Sequence, residues 1–117
     1  MISAHFSEAE CKCKCGCGQM VVNQKLVSLM EKIREKCGGK PVTVLSWNRC
    51  KKHNTAIGGA ADSQHVKGTA CDIRIAGVSV DSLAKTAETC GAMGVGRYPS
   101  QGFVHVDVRA TAARWNG

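Results

Sequence analysis

A chain of 117 residues suits one domain spanning 1–117 and can bury roughly 65% of its unfolded surface, enough for a core without a partner. Hydrophobic residues make up 44% of it but aromatic ones only 4%, so aliphatic side chains, alanine and cysteine must fill that core. The net charge of +7 favours a polyanionic partner, whether nucleic acid, an acidic membrane surface or an anionic wall polymer, while the lack of any run near 20 apolar residues excludes a membrane span.

The opening MISAHFSEAE lacks the basic stretch and apolar core of a secretory signal, so the protein is expected to be made in the cytoplasm. Ser7 and Glu10 have capping-box spacing for a short helical turn. CKCKCGCGQ then alternates strictly, which in an extended strand would set Cys11, Cys13, Cys15 and Cys17 on one face. Thiols two apart on a strand are poorly placed to bridge each other. Bridges to Cys37 or Cys50, a structural zinc site, or plain free thiols are the alternatives.

From Asn23 to Cys37, the residues Leu26, Leu29, Met30, Ile33 and Cys37 recur with helical spacing, and Gly38-Gly39 end the helix. The cluster Lys25, Lys32, Arg34, Lys36 and Lys40 reads as its solvated face. Pro41 starts a strand, PVTVLSW, and NRCKKHNTAIGGAADS is loop-like. TACDIRIA is a second strand, SVDSLAKTAETCG a second helix stopped by Gly91, MGVGRYPSQG a loop or short strand, and FVHVDVRA a final strand. Cys71 and Cys90 sit among apolar residues and read as core. The order predicts an α+β domain with helices on one side of a mainly antiparallel sheet.

The chemistry concentrates in two of these strands. In FVHVDVR, Val104, Val106 and Val108 share the core face, which puts Phe103, His105, Asp107 and Arg109 on the other. In the strand TACDIRIA, Asp72 alternates with apolar neighbours, and a buried carboxylate needs a partner or a metal. His65 can fold back from the preceding loop. Two imidazoles and one carboxylate are the ligands of a catalytic zinc with a fourth position left for water. The plainer alternative makes His65 a loop residue and Asp72 a salt-bridge partner of Arg74 or a helix cap.

The spacing SxHxxGxAxD, realised as Ser63, His65, Gly68, Ala70 and Asp72, resembles the signature of the D-alanyl-D-alanine carboxypeptidase family of zinc peptidases. That family shares its fold with the hedgehog signalling domain and with phage endolysins. HFSxxE, the CKCGCG run, KPVTVLSWNRCKKHN, IGGAADSQH, GVGRYPSQGFVHVDVR and the closing ARW extend the likeness over nearly the whole chain, towards its small single-domain phage and prophage branch. The resemblance implies Zn2+ held by His65, Asp72 and His105, and a peptidoglycan peptide as substrate, cut by carboxypeptidase or endopeptidase chemistry at the bacterial cell wall. It also implies that Arg49 holds the substrate carbonyl or carboxylate. His53 and Tyr98 are candidate substrate contacts, or else a backbone-bonded histidine and a packed aromatic.

One departure stands out. Many members carry an acid three residues before the last zinc histidine, where this chain has Gly102. Asp107 is the nearest replacement, either activating the water or orienting a ligand histidine. Trp47 and Asn48 also replace the Gly-Tyr usual before the arginine. The missing acid keeps alive a non-catalytic wall-binding module of the same fold. A nucleic-acid binder fits poorly, because two phenylalanines, two tryptophans and one tyrosine give few stacking surfaces and no such motif is present. The protein is expected to act as a monomer.

Overall fold

Asn23 opens the first long helix by a side-chain cap: its Oδ1 accepts from the N–H of Lys25 at 2.9 Å and of Leu26 at 3.4 Å. The computed structural model describes Phe6, residues 11–13, Met20, residues 23–48, Asn54, His65 and residues 67–117. Helix α1 (Gln24–Lys36) buries Leu26, Val27, Leu29, Met30 and Ile33, the stripe expected from its periodicity, and ends at Gly38 and Gly39 in the left-handed region. Helix α2 (Val80–Thr89) is capped by the Ser79 hydroxyl and buries Leu83, Ala84 and Ala87. No helix among the described residues is long and apolar enough to cross a membrane.

Five strands follow the order β1-β2-β4-β3-β5 across one sheet. They are β1 (Thr43–Ser46), β2 (Ala70–Arg74), β3 (Gly94–Tyr98), β4 (Phe103–Asp107) and β5 (Ala113–Asn116). All neighbours pair antiparallel except β3 and β5, which run parallel. Cys71, Ile73, Val95, Val104 and Val106 join the two helices in one core. The architecture is the α+β arrangement expected, with helices on one side of a mainly antiparallel sheet. Alternation then sends Asp72, His105 and Asp107 to the opposite face.

MGVGRYPSQG, read as a loop or short strand, holds the five-residue strand β3 followed by a turn. Two features differ from expectation. The strand β5 had no clear signal, because a four-residue edge strand is held by backbone pairing with β3 more than by its own composition. The cysteine run does not begin as a strand: Cys11 is helical and Lys12 lies in a bend. Tertiary packing explains this, since Cys11 enters the core with Phe6 and Trp47 and its carbonyl accepts from the Asn48 N–H at 3.2 Å. Cys71 is fully buried as expected, whereas Cys90 is only partly so, as the C-cap of α2. Ser7, Glu10, Cys15, Cys17, Cys50 and Ser63 lie outside the described residues, as do Arg49 and His53.

Candidate active site

The register of the sheet makes the first contact. Asp72 of β2 lies directly opposite His105 of β4, so their side chains rise from adjacent strands at the same height. A slip of one residue would turn His105 into the core and bring a valine to the site. The Asp72 Oδ1 and His105 Nδ1 atoms are 3.1 Å apart. His65 arrives from the loop before β2, and its Nε2 is 3.2 Å from the same oxygen. All three residues are buried.

Each imidazole is gripped on its far side. His65 Nδ1 faces the Trp47 carbonyl at 2.8 Å. A carbonyl only accepts, so Nδ1 carries the hydrogen and Nε2 of the neutral ring keeps a lone pair. Asn48 tightens the grip by donating its Nδ2–H to the His65 carbonyl at 3.0 Å. His105 Nε2 faces Asp107 Oδ2 at 2.7 Å. The carboxylate again dictates the tautomer, leaving the Nδ1 lone pair directed at Asp72. Two imidazole lone pairs and a carboxylate oxygen therefore meet at one place, an arrangement that repels itself until a cation enters.

The fit to a metal ion is good on these grounds. One ligand atom from each of His65, Asp72 and His105 lies within 4.8 Å of the others. Tetrahedral zinc with bonds near 2.0–2.1 Å sets its ligand atoms about 3.3 Å apart, close to the two separations measured from Asp72. Outer hydrogen bonds that fix each histidine tautomer are the usual support of such ligands.

Where protons take the place of a metal and both rings are charged, the imidazoles donate to Asp72 instead: burial by itself would push its carboxyl up, but hydrogen bonds from His105 and His65 and their charge outweigh it and hold the group well below the usual carboxylate range. Burial would likewise lower His105. Its hydrogen bonds to Asp107 and Asp72 win, and its pKa is raised. Asp107 is fully buried, which disfavours its charge, yet hydrogen bonds from His105 and Arg109 keep it ionised far into acid. Arg109 reaches it with Nε at 2.9 Å and Nη2 at 2.6 Å, and with its backbone N–H at 3.1 Å.

The remaining predicted residues separate. Asp107 sits behind His105, with both oxygens engaged by His105 and Arg109. Gly102 adopts a φ of 76° in the turn between β3 and β4, with its N–H bonded to the Tyr98 carbonyl at 2.8 Å. A side chain is disfavoured there, which gives a backbone reason for the missing acid. Tyr98 stacks on Phe103 with ring centres 4.6 Å apart, and its hydroxyl accepts from Trp115 Nε1–H at 2.7 Å. Asn54 is buried. The supports at the Trp47 carbonyl, Asn48 and Arg109 were not foreseen as such. Only the position of Trp47 and Asn48, just after β1, offered a hint.

Comparison with known proteins agrees with this geometry. Residues 4–107 match the family model described as Peptidase M15. Sixty residues are 43% identical to the probable peptidoglycan L,D-endopeptidase MepK of Haemophilus influenzae, covering 51% of this chain and 32% of that protein. Eighty-one residues are 37% identical to the peptidoglycan L,D-endopeptidase MepK of Escherichia coli K12, covering 65% and 44%. The chain thus spans less than half the length of the curated relatives it matches. Since the family match runs through His65, Asp72 and His105 and over most of the sheet, the chain belongs to the peptidase M15 family.

Proposed function

We propose that this chain is a zinc-dependent peptidase that hydrolyses a peptide bond in the stem peptides of bacterial peptidoglycan. The observation that carries the reading is the convergence of His65, Asp72 and His105, each histidine locked by an outer acceptor in the tautomer a metal requires. An endopeptidase is favoured over a D-Ala-D-Ala carboxypeptidase, because the relatives are named L,D-endopeptidases. The net charge of +7 suits an anionic wall. A phage or prophage setting rests on the sequence resemblance.

His65, Asp72 and His105 would hold the ion. Bound zinc supplies Lewis acidity and a water acidified towards neutral pH. The Trp47 carbonyl and Asp107 keep the two imidazoles aimed. Arg49 is assigned to the substrate carbonyl or carboxylate, where a fixed guanidinium stabilises developing negative charge. Asp107 takes the orienting role and not that of general base, because its oxygens are buried and engaged on the far side of His105.

The test is digestion of purified peptidoglycan with zinc-loaded and chelator-treated protein, followed by mass analysis of the released fragments. Zinc-dependent release of internally cut stem peptides, lost in His65→Ala with the fold retained, supports the proposal. Release of D-alanine alone would make the protein a carboxypeptidase. Glycine at 102 favours one other reading, a wall-binding module, which would bind the wall and release nothing.

A further inference from the structure

Four strands contribute to one row across the site face of the sheet. Asp72 of β2 pairs with His105 of β4, His105 with Gly96 of β3, and Gly96 with Trp115 of β5. A side chain is missing from this row at Gly96, and the Trp115 indole fills the gap. A Cβ built on Gly96 would lie 2.5 Å from Cε2 and Nε1 of that indole, too close for any real contact. The ring passes over the glycine and comes to rest with its centre 5.0 Å from that of His105. Two strand spacings amount to about 9.6 Å, a distance that an indole can bridge only across a residue with no side chain.

The indole is fixed on two further sides. Its N–H donates to the Tyr98 hydroxyl at 2.7 Å, and the Arg109 guanidinium carbon lies 5.1 Å from its ring centre. The next row repeats the device. Gly94 of β3 pairs with Asp107, and a Cβ on Gly94 would collide with the Asp107 carboxylate. The two glycines of GVG, two residues apart on one face of β3, are therefore paired cut-outs. One seats the carboxylate that bonds His105 Nε2, and the other seats the indole that flanks the same ring.

We propose that Gly94, Gly96 and Trp115 are positioning residues that set the orientation of the His105 imidazole as a metal ligand, acting through Asp107 and through ring contact. This rests on the metal-site reading above. It gives a role to the β3 glycines and to the closing ARW, which the assignment of ligands does not use.

The experiment measures zinc affinity by chelator competition, alongside thermal unfolding, for the wild type, Gly96→Ala, Trp115→Leu, the double variant and Tyr98→Phe. Gly96→Ala should push the indole off His105 and weaken zinc binding about tenfold or more, the usual effect of disturbing an outer support. Trp115→Leu should do the same. The double variant should bind no worse than the weaker single one, because the methyl group no longer has an indole to displace. Tyr98→Phe keeps the packing and removes only the indole's acceptor. It should weaken binding several-fold with little change in unfolding temperature, and it decides the matter if an alanine or leucine variant fails to fold. Zinc affinity unchanged in folded variants, or losses that simply add, overturn the inference while leaving the metal site standing. A wild type that does not bind zinc overturns both.

Discussion

Replacing Asp107 by asparagine tests the reasoning where it is most exposed. The side chain keeps its size, and one carboxylate oxygen becomes an NH2 group. Today Oδ2 accepts from His105 Nε2 at 2.7 Å and from Arg109 Nη2 at 2.6 Å, while Oδ1 accepts from the Arg109 backbone N–H and from Nε. An NH2 group at the Oδ1 position meets two Arg109 donors. At the Oδ2 position it meets Nη2–H and drives His105 to the other tautomer, whose Nδ1–H then points at Asp72 and blocks the ligand lone pair. Either orientation loses at least one charge-assisted hydrogen bond, a loss of about 1.5–3 kcal/mol in stability. Arg109 is 29% exposed and recovers part of this by turning to water. Zinc affinity should fall 10- to 100-fold, which is about 1.4–2.8 kcal/mol. Chelator competition on metal-free protein at neutral pH measures this, and digestion of peptidoglycan at saturating zinc separates binding from turnover. A folded variant whose zinc affinity stays within twofold of the wild type would refute the role given to Asp107.

Two further outcomes follow from the same site. In metal-free protein the raised pKa of His105 contributes stability that is full below its unfolded value of 6.5 and is lost as pH rises through the folded value. The lowered pKa values of Asp72 and Asp107 contribute above 3.8 and are lost as pH falls. Unfolding temperature in chelator should therefore decline from mildly acid towards alkaline pH, whereas zinc should stabilise more as pH rises and His105 gives up its proton. A zinc effect independent of pH between 5 and 8 would contradict the ligand assignment. Restoring an acid by Gly102→Glu should lower stability by about 1–2 kcal/mol, the penalty of a side-chain-bearing residue at a φ of 76°, because a Cβ there meets nothing within 4 Å. It should also fail to raise peptidase activity. Denaturant titration together with fragment release checks both parts, and a more active, equally stable variant would show that the turn tolerates the acid.

Much of the molecule is written in local periodicity. The spacing of Leu26, Leu29, Met30 and Ile33 specifies α1, and Gly38 with Gly39 stops it, because burial of one stripe and a left-handed exit are short-range demands. The alternation Val104, His105, Val106, Asp107 likewise states that β4 has an apolar face and a polar face. Those patterns, with SxHxxGxAxD, were enough to nominate His65, Asp72 and His105. They did not decide between a water-activating and an orienting Asp107, since both roles place an acid two residues after the histidine on the same face. The orienting role proposed for Asp107 takes its support from the register of Asp72 against His105 and from Arg109 closing over the far side of Asp107, neither of which local spacing encodes.

The sequence alone therefore determined which side chains face the core and which residues are capable of holding a metal, because those properties depend on neighbours a few positions away. Tertiary structure decided how the site is supported: the Trp47 carbonyl and Asn48 on His65, the β3 glycines under Asp107 and Trp115, and the edge strand β5 itself. Each of these is a contact between segments distant in the chain, made through backbone carbonyls, absent side chains and strand pairing, none of which leaves a periodic trace in the residues that make it.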